Sequence, residues 1–97
     1  MEPLTAPLLA EIHQVEGFDT RIRSFNRNVH IRKGEKGFIA QVSYENYTAV
    51  TPPFPTPGEA MSELVSILQK HNFTRIRSRI NFRGTRYLTE SEPWIDY

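Results

Sequence analysis

From Phe73 to Arg83 the chain alternates: Thr74, Ile76, Ser78, Ile80 and Phe82 take every second place, and Phe73, Arg75, Arg77, Arg79, Asn81 and Arg83 take the others. Successive side chains of a strand point to opposite faces, so this pattern predicts a strand with one buried face and one arginine-rich face. Upstream the period changes. Ala60, Met61, Leu64, Ile67 and Leu68 recur at helical spacing opposite Glu59, Ser62, Glu63, Ser66 and Gln69, which predicts an amphipathic helix over Pro57 to His71. Its ends are marked. Thr56 is a good N-cap, Pro57 suits the first helical position and Glu59 completes a capping box. Asn72 can adopt the left-handed conformation that stops the helix, just after Lys70 and His71, whose charge the helix dipole favours.

Asn28 to Lys33 and Gly37 to Tyr44 read as strands joined by a turn containing Gly34 and Gly37, and Glu45-Asn46 makes a second turn into a strand at Tyr47 to Thr51. Pro52-Pro53-Phe54-Pro55 is expected to leave the sheet and cross stiffly to the helix, because proline has no ladder donor. At the N-terminus, Leu8, Leu9, Ile12 and Val15 stand at helical spacing, so Leu4 to Val15 predicts a helix shortened by Pro3 and Pro7. The pentapeptide Thr-Arg-Ile-Arg-Ser occurs at 20–24 and again at 74–78, which suggests a strand for the first copy too. The expected fold is α+β: an antiparallel meander with one packed helix and a further strand, in the order β-β-β-α-β, with an additional strand or short helix at the N-terminus.

Ninety-seven residues suffice for a single domain with its own core. Residues 1–17 are expected to be a partly ordered N-terminal segment, and 89–97 an acidic aromatic tail. The chain has no cysteine, which excludes disulfides, cysteine zinc sites and cysteine nucleophiles. Met1 to Val15 has no basic leader and carries Glu2 and Glu11, unlike a signal peptide or membrane span, so a cytoplasmic location is expected.

The net charge of +1 conceals a segregation. Residues 1–19 hold four acids and no Lys or Arg, whereas 20–44 hold six cations against Glu35. Residues 73–88 hold five arginines and no acid, and 89–97 hold three acids. Two basic blocks thus stand between acidic ends.

No catalytic pattern emerges. His13, His30 and His71 fall on three different predicted elements, with no His-x-x-x-His spacing and no His-Glu pairing in the pattern. There is no glycine-rich phosphate loop, and the serines lack a nucleophile-elbow context. The expectation is a protein that is not an enzyme and has neither cofactor nor metal.

Lys33-Gly34-Glu35-Lys36-Gly37-Phe38 places a charged turn before an aromatic strand, and Thr56-Pro57-Gly58-Glu59-Ala60 starts a threonine-capped helix with small residues in its first turns. With the β-β-β-α-β order of Asn28 to Phe82, these segments resemble the N-terminal domain of HicB-like antitoxins. The resemblance implies the fold of that domain. The DNA-binding module that usually follows it in the family has no counterpart in this chain, and the arginine strand is no part of the family pattern.

The arginine face points to an anionic partner. Side chains two apart on a strand recur at about 6.5 to 7 Å, close to the spacing of phosphates along one nucleic-acid strand. Arg75, Arg77, Arg79 and Arg83 are the candidate contacts, with RNA favoured among polyanions, and Arg21 and Arg23 enlarge the patch if the two pentapeptides lie together. A rival reading pairs these arginines with acids of the same chain. A third makes the domain a protein-protein adaptor or homodimer, using the exposed edge of the last strand and the tail residues Trp94 and Tyr97. The position of the tail decides among them.

Overall fold

The structure is a computed structural model and describes residues 8–84, 86–88 and 92–97. Among these residues the chain runs β1 (Leu8–Phe18), β2 (Ser24–Gly34), β3 (Gly37–Tyr44), β4 (Tyr47–Val50), α1 (Pro57–Lys70), β5 (Thr74–Arg83), β6 (Arg86–Tyr87) and β7 (Ile95–Asp96). The strands form one antiparallel sheet in the order β4-β3-β2-β1-β5-β6, with β7 also paired to β5. Helix α1 lies against β3 and β4 and reaches β2 and β5. This is the α+β meander with a packed helix and a further strand.

The N-terminal segment is where the sequence pattern misleads. Leu8–Phe18 is a strand at the centre of the sheet, between β2 and β5; of the additional strand or short helix expected here, it is the strand, and not the helix that the apolar spacing predicts. Residues 1–7 of that expectation lie outside the described residues. Ile12 pairs with His30 and Val15 with Arg27, so these two residues, three apart, lie on opposite faces of β1. Both are buried: Val15 enters the core beneath α1, and Ile12 lies on the other side. A central strand that buries residues on both faces reproduces the three-residue spacing of a helix.

The two pentapeptides also part company. Residues 74–78 belong to β5, whereas Thr20 to Arg23 form the turn between β1 and β2. The residue before the first copy explains the difference. Asp19 Oδ1 accepts the backbone N–H groups of Arg21 at 2.8 Å and Arg23 at 2.9 Å, and the Asp19 N–H donates to the Arg23 carbonyl at 2.8 Å. An aspartate that binds the backbone following it closes a turn and keeps Thr20 to Arg23 out of the extended conformation, so the strand starts only at Ser24.

Under the helix, Ala60, Met61, Leu64, Val65 and Leu68 meet Val15, Val29, Ile31, Ala40, Val42 and Ile76. Thr56 accepts the Glu59 N–H at 3.2 Å, and Asn72 takes a φ of 68° just past the helix, as the caps predict. The proline stretch does not leave the sheet entirely. Phe54 exchanges backbone hydrogen bonds of 2.7 and 2.9 Å with Phe38 on β3. Gly37 makes this approach feasible: its φ is 133°, and a Cβ there would run into the Phe54 carbonyl. No helix among the described residues is long and apolar enough to cross a membrane.

Candidate nucleic-acid interface

Two bulges break the alternation of β5. Between Glu16, opposite Arg77, and Phe18, opposite Thr74, two residues of β5 face Gly17 alone. Arg75 takes a φ of 51° there, and a Cβ on Gly17 would come within 2.7 Å of the Thr74 carbonyl and 3.0 Å of the Arg75 carbonyl. Further along, His13 pairs with Ile80 but Ile12 pairs with Phe82, so Asn81 is an added residue. The second bulge puts Arg83 opposite Glu11, on the side of β1 that faces α1, while Arg77 and Arg79 pair with Glu16 and Gln14 on the opposite side. Phe82, opposite Ile12, correspondingly leaves the face of Ile76 and Ile80. The expected row of four arginines is thus split, and only Arg77 and Arg79 remain neighbours on one regular face.

Most of these cations are already engaged. Arg77 Nη2 lies 3.2 Å from Glu16 Oε1, and Arg79 Nε donates to Gln14 Oε1 at 3.3 Å. Arg83 Nε lies 3.6 Å from Glu11 Oε2. The tail returns along β5: Asp96 pairs with Arg77, Ile95 with Ser78, and the Tyr97 N–H donates to the Ile76 carbonyl at 3.0 Å. It carries the Trp94 ring to 4.5 Å from the guanidinium carbons of both Arg77 and Arg79. The Tyr97 hydroxyl meets the buried Ser78 hydroxyl at 3.0 Å. Trp94 and Tyr97, singled out as partner-binding residues, therefore contact their own domain, and β6 and β7 occupy the β5 edge that was expected to be exposed.

Arg21 and Arg23 sit at the end of the sheet near Thr74, where β1 and β5 meet. Arg23 is consumed there: its Nε donates to Asp19 Oδ2 at 2.9 Å, and its Nη2 to both Glu45 oxygens at 3.1 and 3.2 Å. The Tyr44 hydroxyl donates to Asp19 Oδ2 at 2.6 Å. This bond first, then those from Arg23 and Arg21, holds the Asp19 carboxyl far below the usual carboxylate range, against the opposing effect of burial. Among the described residues, no acid pairs with the side chains of Arg21 or Arg75.

The sequence pattern concealed a broader surface. Helix α1 covers one side of the sheet, and register places Gln14, Glu16, Asn28, His30, Arg32, Gln41 and Ser43 on the other, with Arg77 and Arg79. Among the described residues that face has three arginines and two acids, Glu16 and Asp96, the latter opposite Arg77 on β7. A cavity on it is lined by Asn28, His30, Arg32, Gln41 and Ser43. His30 has its pKa lowered, by burial first and then by Arg32. The polar alternation of Asn26, Asn28, His30 and Arg32 carried this signal, but one arginine among neutral polar residues stands out less than a row of four.

A further correction concerns the histidines. His13 Nε2 and Glu11 Oε1 are 2.8 Å apart, two residues apart on one side of β1. Read as a helix, Glu-Ile-His holds no such pair; read as a strand, it does. Among the described residues no group of three or more His, Asp or Glu side chains is placed to hold a metal ion.

No family model, curated protein or solved structure matches this chain.

Proposed function

We propose that the chain is a noncatalytic domain that binds single-stranded RNA on the helix-free face of its sheet. The observation that carries this reading is the composition of that face: Arg32, Arg77 and Arg79 against Glu16 and the tail's Asp96, interspersed with the amides and hydroxyls of Gln14, Asn28, Gln41 and Ser43. Guanidinium groups take phosphate oxygens bidentately, and amide side chains can meet the base edges of an unpaired strand. A sheet face that the helix does not cover is a surface along which such a strand can lie. Arg83 contributes nothing to this surface, because the bulge at Asn81 turns it to the other side.

Fluorescence anisotropy with a generic single-stranded RNA, repeated across a series of salt concentrations, tests the reading. Binding should weaken steeply with salt, and combined Arg32→Ala, Arg77→Ala and Arg79→Ala should flatten the log-log slope by about 2, at about 0.7 per lost single-strand phosphate contact. Arg83→Ala should leave the slope unchanged. No binding at low salt, or equal losses from Arg83→Ala and the triple variant, would overturn it.

A further inference from the structure

At the end of the sheet, the β1–β2 turn, the β3–β4 turn and the segment after α1 converge around a cleft of about 360 Å³. Tyr44, Tyr47 and Phe73 are among its lining, with Phe73 at 5.8 Å from the Tyr44 ring and 6.2 Å from the Tyr47 ring. His71 lies 4.7 Å from the Tyr47 ring. The rim is polar: Thr20, Arg21, Arg23, Glu45 and Asn46.

Its acids are spent. Asp19 receives four hydrogen bonds, two on each oxygen, and Glu45 turns both oxygens to Arg23. The Arg21 guanidinium is left without an acid partner among the described residues, so its donors are free for a ligand oxygen. Four non-glycine residues have a positive φ among the described residues: Ile22, Glu45, Asn72 and Arg75. The first three lie on the three segments that form the rim. Ile22 is the costliest, because a β-branched side chain is disfavoured in the left-handed region, and it is 80% exposed, with no burial to offset the strain. Such strain gathers where a local shape is held for a ligand.

We infer that this cleft binds a nucleotide, with the base against the aromatic floor and the phosphate on Arg21. Its volume falls in the range of small-molecule pockets, aromatic rings stack on any base, and a free guanidinium matches a phosphate. The site is separate from the helix-free sheet face and does not depend on it. Its ligand can be a free mononucleotide or the phosphorylated end of a strand.

Backbone amide shifts read by NMR test it, with a 5′-mononucleotide, its unphosphorylated nucleoside, and short RNA with and without a 5′-phosphate as probes. Saturable shifts at Arg21, Asn46, Tyr47 and His71 are expected from the mononucleotide, with at least about tenfold weaker binding of the nucleoside and by Arg21→Ala, and an intermediate loss in Arg21→Lys. Tighter binding of the phosphorylated RNA than of the mononucleotide identifies a strand end as the ligand; equal or weaker binding identifies the free nucleotide. Arg21 holds Asp19 through its backbone N–H, so Arg21→Ala keeps the turn. Retention of the shifts in the triple arginine variant of the sheet face separates the two sites. Absence of saturable shifts with every probe, or shifts indifferent to Arg21→Ala, overturns the inference.

Discussion

Two residues at opposite ends of the preference for positive φ make the same point about the β1–β5 end of the sheet. Ile22 occupies the left-handed region at φ 61° with its side chain in solvent. The conformation costs roughly 1–2 kcal/mol for such a residue, and asparagine bears less of that cost. Ile22→Asn should therefore raise stability by about 1 kcal/mol, or about 4–8 °C in thermal midpoint for a domain of this size. Gly17 is the converse case. Its added Cβ would meet backbone atoms of β5, which cannot swing aside as a side-chain tip can. Gly17→Ala should lower the midpoint, and the same melts read both signs. Asp19 adds a pH dependence. Its folded pKa lies below the ordinary 3.8, so its contribution to stability is complete above that value and is lost as pH falls through the folded one. Urea midpoints taken from about pH 5 to pH 2 should fall more steeply for the native chain than for Asp19→Asn. Tyr44→Phe should lessen the difference, because the Tyr44 hydroxyl is the largest cause of the shift.

At the scale of elements, legibility followed burial. Helix α1 was readable to within a residue because one face is buried, one is exposed, and both ends carry their own caps. β3 and β4 were readable because polar and apolar positions alternate and the turns between them are marked. β1 was not, because it buries residues on both sides and its apolar positions belong to two faces. The bulges of β5 were equally hidden. The sequence shows a perfect alternation, and only pairing with β1 reveals that Arg75 and Asn81 are extra residues. A one-residue insertion reverses the facing of everything beyond it, so a row legible as four arginines became two neighbours and one on the far side. The identical pentapeptides state the limit most directly. Thr-Arg-Ile-Arg-Ser is a turn after Asp19 and a strand after Phe73, so the information lies in what precedes it and in which strand waits alongside.

For the molecule as a whole, the segregation of charge along the chain becomes a contest in space. The acidic tail brings Asp96 to the pairing position opposite Arg77, and Trp94 sits against both β5 arginines of the helix-free face. An RNA strand reaching Arg77 and Arg79 must compete with this tail. The attachment is short: two residues of strand pairing, the Tyr97 N–H bond to the Ile76 carbonyl, one ring against two cations, and one hydroxyl contact at Ser78. β5 remains bonded to β1 without it, so the sheet is expected to persist when 92–97 are deleted. Deletion should strengthen RNA binding, because Arg77 and Arg79 are then reached without displacing the tail. In the full chain, Trp94 is the single tryptophan, so its fluorescence reports directly on the contest. RNA that displaces the ring should shift its emission toward that of an exposed indole, with the same salt dependence as binding. Unchanged emission at saturation, together with equal RNA affinity for the full and shortened chains, would show that the tail and the RNA do not share these arginines.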